Sequence, residues 1–196
     1  MHPLSPFIEH LRQFVDISAA DEEQVASLLR VRQYAKGDIL LEEGRRSQSF
    51  FFLLRGCVRM YYLVDGVEKN TFFYTENQFV SSYESFVRAT PAKHYIACLE
   101  DCELVVITQE NAFQLLSFSP KFEQLSRMIM EEELIIYQQM LSTFITQNAE
   151  QRYQQFMDAM PELAQRIPQY HLASYLGVSP ETLSRIRARL SRPTLS

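Results

Sequence analysis

Apolar positions along the chain change their period several times. From Pro6 to Val31 they recur at helical spacing, as Leu11, Phe14 and Val15 and then Val25, Leu28 and Leu29. Within that stretch Ser18-Ala19-Ala20-Asp21, followed by Glu22-Glu23, predicts a capped helix start with acids in its first turn. From Tyr34 the pattern shortens into apolar or aromatic runs separated by glycine turns. These are Asp38–Leu41 before Gly44, Phe50–Leu54 before Gly56, Val58–Val64 before Asp65-Gly66, and Glu68–Tyr74. Asp-Gly between two such runs predicts a hairpin. His94–Leu99 and Cys102–Thr108 add further strands, and short strands at this spacing predict an antiparallel sandwich or barrel.

From Gln109 the chain reads as helical again. Pro120 opens a run to about Gln147 without Gly or Pro, long enough for about seven helical turns. Phe122, Leu125, Ile129, Ile136, Met140 and Phe144 keep a heptad-like stripe along it, interrupted by Glu131-Glu132-Glu133. A long helix beside a small β domain is expected to pair with a second copy of the chain; the alternative is that it lies across its own sandwich. The acidic run is expected to be a solvated face. The last segment, Glu150 to Ser196, is punctuated by Pro161 and Pro168 and predicts short helices. The expected fold class is α+β. Its domains are an N-terminal β sensor domain over 1–118, a long helix over 119–148 and a small helical domain over 149–196.

Composition narrows the class without naming a function. The 196 residues are 46% hydrophobic and 22% charged, ordinary for a globular chain. The longest uncharged apolar run, Phe50–Leu54, is far short of the roughly 20 residues of a membrane span, and Met1–His10 lacks the pattern of a leader. The three cysteines, Cys57, Cys98 and Cys102, are an odd number, which points away from a disulfide framework and toward a reducing cytoplasm. Of the four histidines only His94 lies in the β region. Metal enzymes on such a sandwich need several converging His and carboxylate ligands, so no metal site is expected. Gly-x-Ser-x-Gly, Gly-Lys-Ser/Thr and His-Glu-x-x-His are absent, and no catalytic residue is assigned.

Charge does change the picture. The net charge is −5, but residues 151–196 hold six arginines against Asp158, Glu162 and Glu181, a net of +3, leaving −8 on residues 1–150. Arg185, Arg187, Arg189 and Arg192 fall close together. The first three end a segment with the grammar of a helix-turn-helix, Gln169 to Leu190. Leu172, Ala173 and Leu176 give the first helix an inward face. Gly177 supplies a left-handed turn and Val178 fills the corner. Ser179 caps the second helix, Pro180 occupies its first turn and Glu181 complements its dipole. Leu183, Ile186 and Leu190 form its buried face, while Glu181, Thr182, Ser184, Arg185, Arg187 and Arg189 face outward. Side chains near the start of such a helix reach base edges and the later basic ones neutralise phosphate, so Ser179, Glu181, Thr182, Ser184, Arg185, Arg187 and Arg189 are the candidate DNA contacts. Arg185 suits a bidentate pair with guanine and Glu181 a contact with cytosine.

With these residues in view, nearly the whole chain resembles the bacterial Crp/Fnr transcription regulators. The resemblance rests on Lys36-Gly37-Asp38-Ile39-Leu40, Glu43-Gly44 and Phe51–Arg59, which look like a cyclic-nucleotide-binding-type jelly roll. It rests also on the long helix after Pro120 and on Glu181-Thr-Leu-Ser184-Arg185, which matches a Glu-x-x-Ser-Arg motif of the oxygen-regulator branch. It implies a cytoplasmic homodimer that binds double-stranded DNA at a palindromic operator with TTGA-like half-sites through 180–190, and RNA polymerase as a partner if it activates. Cyclic-nucleotide binders of the family carry Gly-Glu and an arginine in a phosphate cassette. Here Ser81-Ser82 stands at the Gly-Glu position and Ala92-Lys93 near the arginine's place. Neither cAMP nor cGMP is therefore expected as effector, and no cofactor is assigned. Ser81, Ser82, Tyr83, Glu84 and Lys93 are the candidates for a degenerate pocket or an unidentified small effector. No cysteine precedes Cys57, so the iron–sulfur cluster of the oxygen-sensing branch has no ligands, and Cys98 and Cys102 read as small core residues. The β-hairpin wing usual after the recognition helix is expected to be absent or shrunken. The competing reading is a sensor module that binds an effector or a partner protein and carries a vestigial helix-turn-helix.

Overall fold

The computed structural model describes residues 2–190. Arg192 and the stretch after Leu190, where the wing expectation falls, lie outside the described residues. The chain divides into two compact units, Met1–Met60 with Phe73–Ile136, and Tyr61–Phe72 with Tyr137–Ser196.

The first unit opens with α1 (Ser5–Leu11) and α2 (Ala19–Leu28). The predicted cap is present: Ser18 Oγ accepts the Asp21 N–H at 3.3 Å, and the Asp21 carboxylate accepts the Ser18 N–H at 2.9 Å. The Ser18 hydroxyl, donating to the Asp21 carboxylate at 2.6 Å, holds that carboxyl below its ordinary range, and Lys121 Nζ, 3.0 Å away, acts in the same sense. The helix expected to run to Val31 stops earlier. Arg30–Tyr34 is instead strand β1, an edge strand antiparallel to the strand Cys102–Thr108. Its five residues are half-buried or exposed, so it lacks the apolar alternation that would mark it in sequence.

The remaining strands are β2 (Ile39–Leu41), β3 (Ser49–Arg55), β4 (Val58–Val64), β5 (Val67–Tyr74), β6 (Phe79–Val80), β7 (Tyr95–Cys98) and β8 (Cys102–Thr108), with helix α3 (Tyr83–Arg88) after β6. They form two four-stranded sheets, ordered β1-β8-β3-β6 and β2-β7-β4-β5. β3 supplies Phe51, Phe52 and Leu53 to the interior, all three buried, which explains its near-continuous apolar run. At Asp65-Gly66 both residues take positive φ, 52° and 76°, as the predicted two-residue hairpin turn requires.

Helix α4 (Gln109–Phe118) leads into α5 (Pro120–Thr146). The expected pairing stripe on α5 needs correction at its start. Phe122 and Leu125 are 4% and 5% exposed and belong to the first unit's own core, together with Phe7, Leu11, Val25 and Val105; Ile129 packs against the same cluster. A core that already lies against the first turns of a helix absorbs the apolar residues there, whatever their heptad register. Farther along, Ile136 and Met140 are half-buried and Phe144 is exposed. Leu134, Ile135, Tyr137, Leu141, Phe144 and Ile145 are the large apolar side chains that α5 leaves exposed in one copy of the chain.

The second unit comprises the tip of the β4–β5 hairpin, the end of α5, and α6 (Ala149–Ala159), α7 (Pro161–Arg166), α8 (Gln169–Tyr175) and α9 (Pro180–Leu190). Asn148 breaks α5 from α6. Its side chain accepts the Gln151 N–H at 3.0 Å and Gln151 returns the bond to the Asn148 N–H at 2.9 Å. Tyr153, Phe156, Leu163, Leu172, Leu176 and Leu183 are buried at the centre. Among the described residues no helix is long and apolar enough to cross a membrane, and no group of three or more His, Cys, Asp or Glu is placed to hold a metal ion.

Candidate nucleic-acid interface

α8 and α9 meet at a turn built as the sequence predicts. Leu172 and Leu176 are buried and Ala173 is fully buried, so α9 can approach α8 closely. Gly177 takes φ +72°, and the Val178 N–H closes the turn on the Ala173 carbonyl at 3.0 Å. A Cβ on Gly177 would come to 3.2 Å of Phe144 Cζ, a contact the exposed ring can relieve by a small shift, so it is the positive φ that calls for glycine here. Ser179 Oγ accepts the Thr182 N–H at 3.2 Å, the expected cap of α9. The Ser179 hydroxyl also holds the Glu181 carboxyl below its ordinary pKa, with Arg185 acting the same way.

Leu183 and Ile186 anchor α9, at 0% and 5% exposure. Leu190, expected on the same face, is 39% exposed because it stands at the last helical residue. The opposite face is open. Ser179, Glu181, Ser184, Arg185, Arg187 and Arg189 are exposed and Thr182 is half-buried. Arg185 folds back along its own helix, donating to the Glu181 carbonyl at 3.4 Å and to Thr182 Oγ1 at 3.3 Å. The Arg189 guanidinium, still exposed, pairs with Glu150 of α6 at 2.6 Å.

Two features escaped the sequence reading. Arg152 on α6 donates to the Gln147 carbonyl at 2.6 Å and to the Leu176 carbonyl at 2.7 Å, and its guanidinium lies 4.6 Å from the centre of the Phe144 ring. One side chain thus satisfies a carbonyl beyond the end of α5 and the carbonyl that caps α8. The second is the docking of the hairpin tip on α8. Ser174 Oγ accepts the Asn70 N–H and donates to the Glu68 carbonyl, each at 2.9 Å. The Asn70 amide nitrogen is 3.2 Å from His171 Nδ1, and Glu68 Oε2 is 3.9 Å from the same nitrogen. Asn70 and His171 are 5% and 4% exposed, so these polar groups are interior to the unit. Their sequence signal is slight: polar residues in a strand and on a helix look solvated until the partner surface is known.

In the first unit the residues proposed for an effector pocket scatter in exposure. Ser82 is buried, Ser81 half-buried, and Tyr83, Glu84 and Lys93 exposed. Glu84 is 3.4 Å from Arg88 and 4.0 Å from Lys93, so the cation assigned to a ligand phosphate already faces a carboxylate. Ser85, which the sequence reading passed over, is buried and holds the segment, accepting the Ser47 N–H at 2.9 Å and donating to the Thr90 carbonyl at 2.6 Å. Arg59 on β4 is also buried, an interior cation that the strand pattern hid. His94 is half-buried and its pKa is lowered by desolvation.

Residues 31–117 match the family model of the cyclic nucleotide-binding domain. No curated protein matches the chain. Among solved structures it is similar to FixK2 from Bradyrhizobium japonicum, at 16% identity over 83% of this chain and 84% of that one, with a TM-score of 0.71. It is similar also to CLP of Xanthomonas campestris, described as a c-di-GMP-responsive global regulator, at 18% identity, 88% and 91% coverage and a TM-score of 0.71. The catabolite activator protein of Thermus thermophilus aligns at 20% identity, 93% and 86% coverage and a TM-score of 0.56. The chain thus carries a cyclic-nucleotide-binding-type domain. Its fold, a β roll, a long helix and a helical C-terminal segment, is similar to the folds of these solved structures.

Proposed function

We propose that this chain is a sequence-specific DNA-binding transcription regulator that acts as a homodimer. The observation that carries the proposal is α9. Two buried side chains and a capped, glycine-closed turn hold the helix, and they leave Ser184, Arg185 and Arg187 exposed on one face. That division between anchor and reader is what a recognition helix in the major groove needs. Arg185 is the base-reading residue, Arg187 a phosphate contact, and Arg189 chiefly a brace through Glu150. The dimer forms along the later turns of α5, where Leu134, Leu141 and Ile145 are 60%, 61% and 74% exposed. These residues replace Phe122 and Leu125 as the pairing surface. RNA polymerase is the further partner if the protein activates.

The effector site is degenerate toward cyclic nucleotides. A cyclic phosphate would have to compete with Glu84 for Lys93 and would meet no arginine fork at that position. The same β roll accepts either no ligand or one of different chemistry.

Selection of random duplex DNA by the purified protein, without effector, tests the reading. The expected product is a two-fold palindrome with half-sites about one helical turn apart. Arg185→Ala is expected to lose about 1–3 kcal/mol at that site and to relax the preference at one base pair. Equal affinity of variant and parent at the selected site refutes the assignment. Added cAMP or cGMP is expected to leave binding unchanged.

A further inference from the structure

A long, exposed arginine ordinarily samples many rotamers, and it must give most of them up when it grips a base. Arg185 has a fixed course along its own helix. Its Nε donates to the Glu181 carbonyl at 3.4 Å and its Nη2 to Thr182 Oγ1 at 3.3 Å. Thr182 is the half-buried member of the outward face of α9. Its Oγ1 also accepts the Ser179 hydroxyl at 3.2 Å, and its own N–H donates to Ser179 Oγ at 3.2 Å. Ser179, Thr182 and Arg185, spaced three residues apart, thus form one chain of bonds over the start of α9.

The bonds also divide the guanidinium. Its donors form a rigid planar fork with a side edge, Nε and Nη2, and an end edge, Nη1 and Nη2. The helix takes the side edge, through the Glu181 carbonyl and Thr182. Nη1 and the outer hydrogen of Nη2 have no partner among the described residues. Those parallel donors are the pair that meets the adjacent O6 and N7 acceptors of a guanine.

We propose that Thr182 is a positioning residue for base recognition: its hydroxyl holds Arg185 in the rotamer that offers the end edge of the guanidinium to a base. This rests on the DNA-binding function proposed above and deepens it. Thr182, expected from its spacing as a direct contact, acts through Arg185. The bond from Ser179 keeps its hydroxyl oxygen turned back toward the cap, where the side chain three residues later can reach it. A side chain already in its binding rotamer loses less freedom when it binds. That saving is realised only where Arg185 is engaged, so Thr182 sets discrimination at one base pair and not affinity for DNA in general.

The test uses the full-length protein and the duplex it selects from random DNA. Affinity is measured for that duplex and for one substituted at the base pair whose preference Arg185→Ala relaxes. Thr182→Val keeps the branched shape and the N–H bond to Ser179 but removes the acceptor. It is expected to lower the ratio of the two affinities about fivefold per half-site, through the selected duplex alone and with an unchanged salt dependence. Thr182→Ser, which keeps the hydroxyl, is expected to hold the parent ratio to within about twofold. In an Arg185→Ala background Thr182→Val is expected to change nothing. A parent ratio in Thr182→Val overturns the proposal and leaves the DNA-binding function standing. Equal losses on both duplexes, with a lowered thermal midpoint, overturn it as well, because a merely structural role weakens both. So does a loss that persists in the Arg185→Ala background with a salt slope lowered by about one, which would make Thr182 a phosphate contact. A parent protein that selects no sequence overturns the DNA-binding function itself and this proposal with it.

Discussion

Arg152 is a single side chain on which the geometry of the helix-turn-helix rests, and its replacement gives the sharpest test of that geometry. Its guanidinium donates to the Gln147 and Leu176 carbonyls at 2.6 Å and 2.7 Å and stacks on Phe144. Hydrogen bonds from a charged donor contribute about 1.5–3 kcal/mol each when well sheltered. Arg152 is half-buried, so about 1–1.5 kcal/mol each is the appropriate scale, with about 0.5–1 kcal/mol more from the ring. Arg152→Ala should therefore destabilise the second unit by about 2.5–4 kcal/mol. Arg152→Lys, whose ammonium lacks the fork that spans two carbonyls, should lose about half of that. Denaturant unfolding of the full chain measures the total, and hydrogen exchange at the amides of α8 and α9 locates it. Weakened DNA binding should follow, with an unchanged dependence on salt, because a brace touches no phosphate. Stability unchanged to within about 0.5 kcal/mol, together with a salt slope lowered by about one, would refute this: Arg152 would then be a phosphate contact.

Three further outcomes are expected. Gly177→Ala should cost about 1–2 kcal/mol in thermal unfolding, because φ +72° strains any side chain; adding Phe144→Leu relieves the 3.2 Å contact but not the backbone. Ser174→Ala removes the acceptor of the Asn70 N–H and the donor to Glu68, and should cost about 1–3 kcal/mol. Hydrogen exchange over 61–72 should quicken, and unchanged protection there would show that the hairpin does not rely on α8. Burial raises the Glu133 pKa from 4.5 to about 7, so the stability linked to its proton is full below its ordinary value and is lost as pH rises through about 7. Glu133→Gln should therefore raise stability by at most about 3 kcal/mol above pH 7 and change little at acid pH, as thermal unfolding at the two pH values will show.

Much of the fold was legible because its signals are local. The Ser18 cap, the Asp65-Gly66 turn and the long run after Pro120 are each written in a few adjacent residues. So is the turn from Ala173 to Ser179. What stayed hidden depends on distant surfaces. β1 is a polar edge strand and β6 is two residues long, too short for any period to appear. Phe122 and Leu125 fit a heptad as well as they fit a core, and only the position of α1 and the strands decides between the two. The candidate site divides the same way. The residues of α9 could be named from their spacing, whereas the Arg189–Glu150 pair joins residues 39 apart. The Asn70–Ser174 bond spans 104 residues.

The anchoring of α9 also bears on how such a protein changes its target over evolutionary time. Two side chains, Leu183 and Ile186, are the buried residues of the helix, while Ser184, Arg185 and Arg187 are exposed. Substitutions at exposed positions of this kind usually shift stability by less than about 0.5 kcal/mol. A lineage can therefore exchange the reading residues one at a time without passing through an unfolded intermediate. In the DNA reader proposed above, operator preference can drift while the fold stands still, and the same independence makes α9 the natural place to redirect the protein by design.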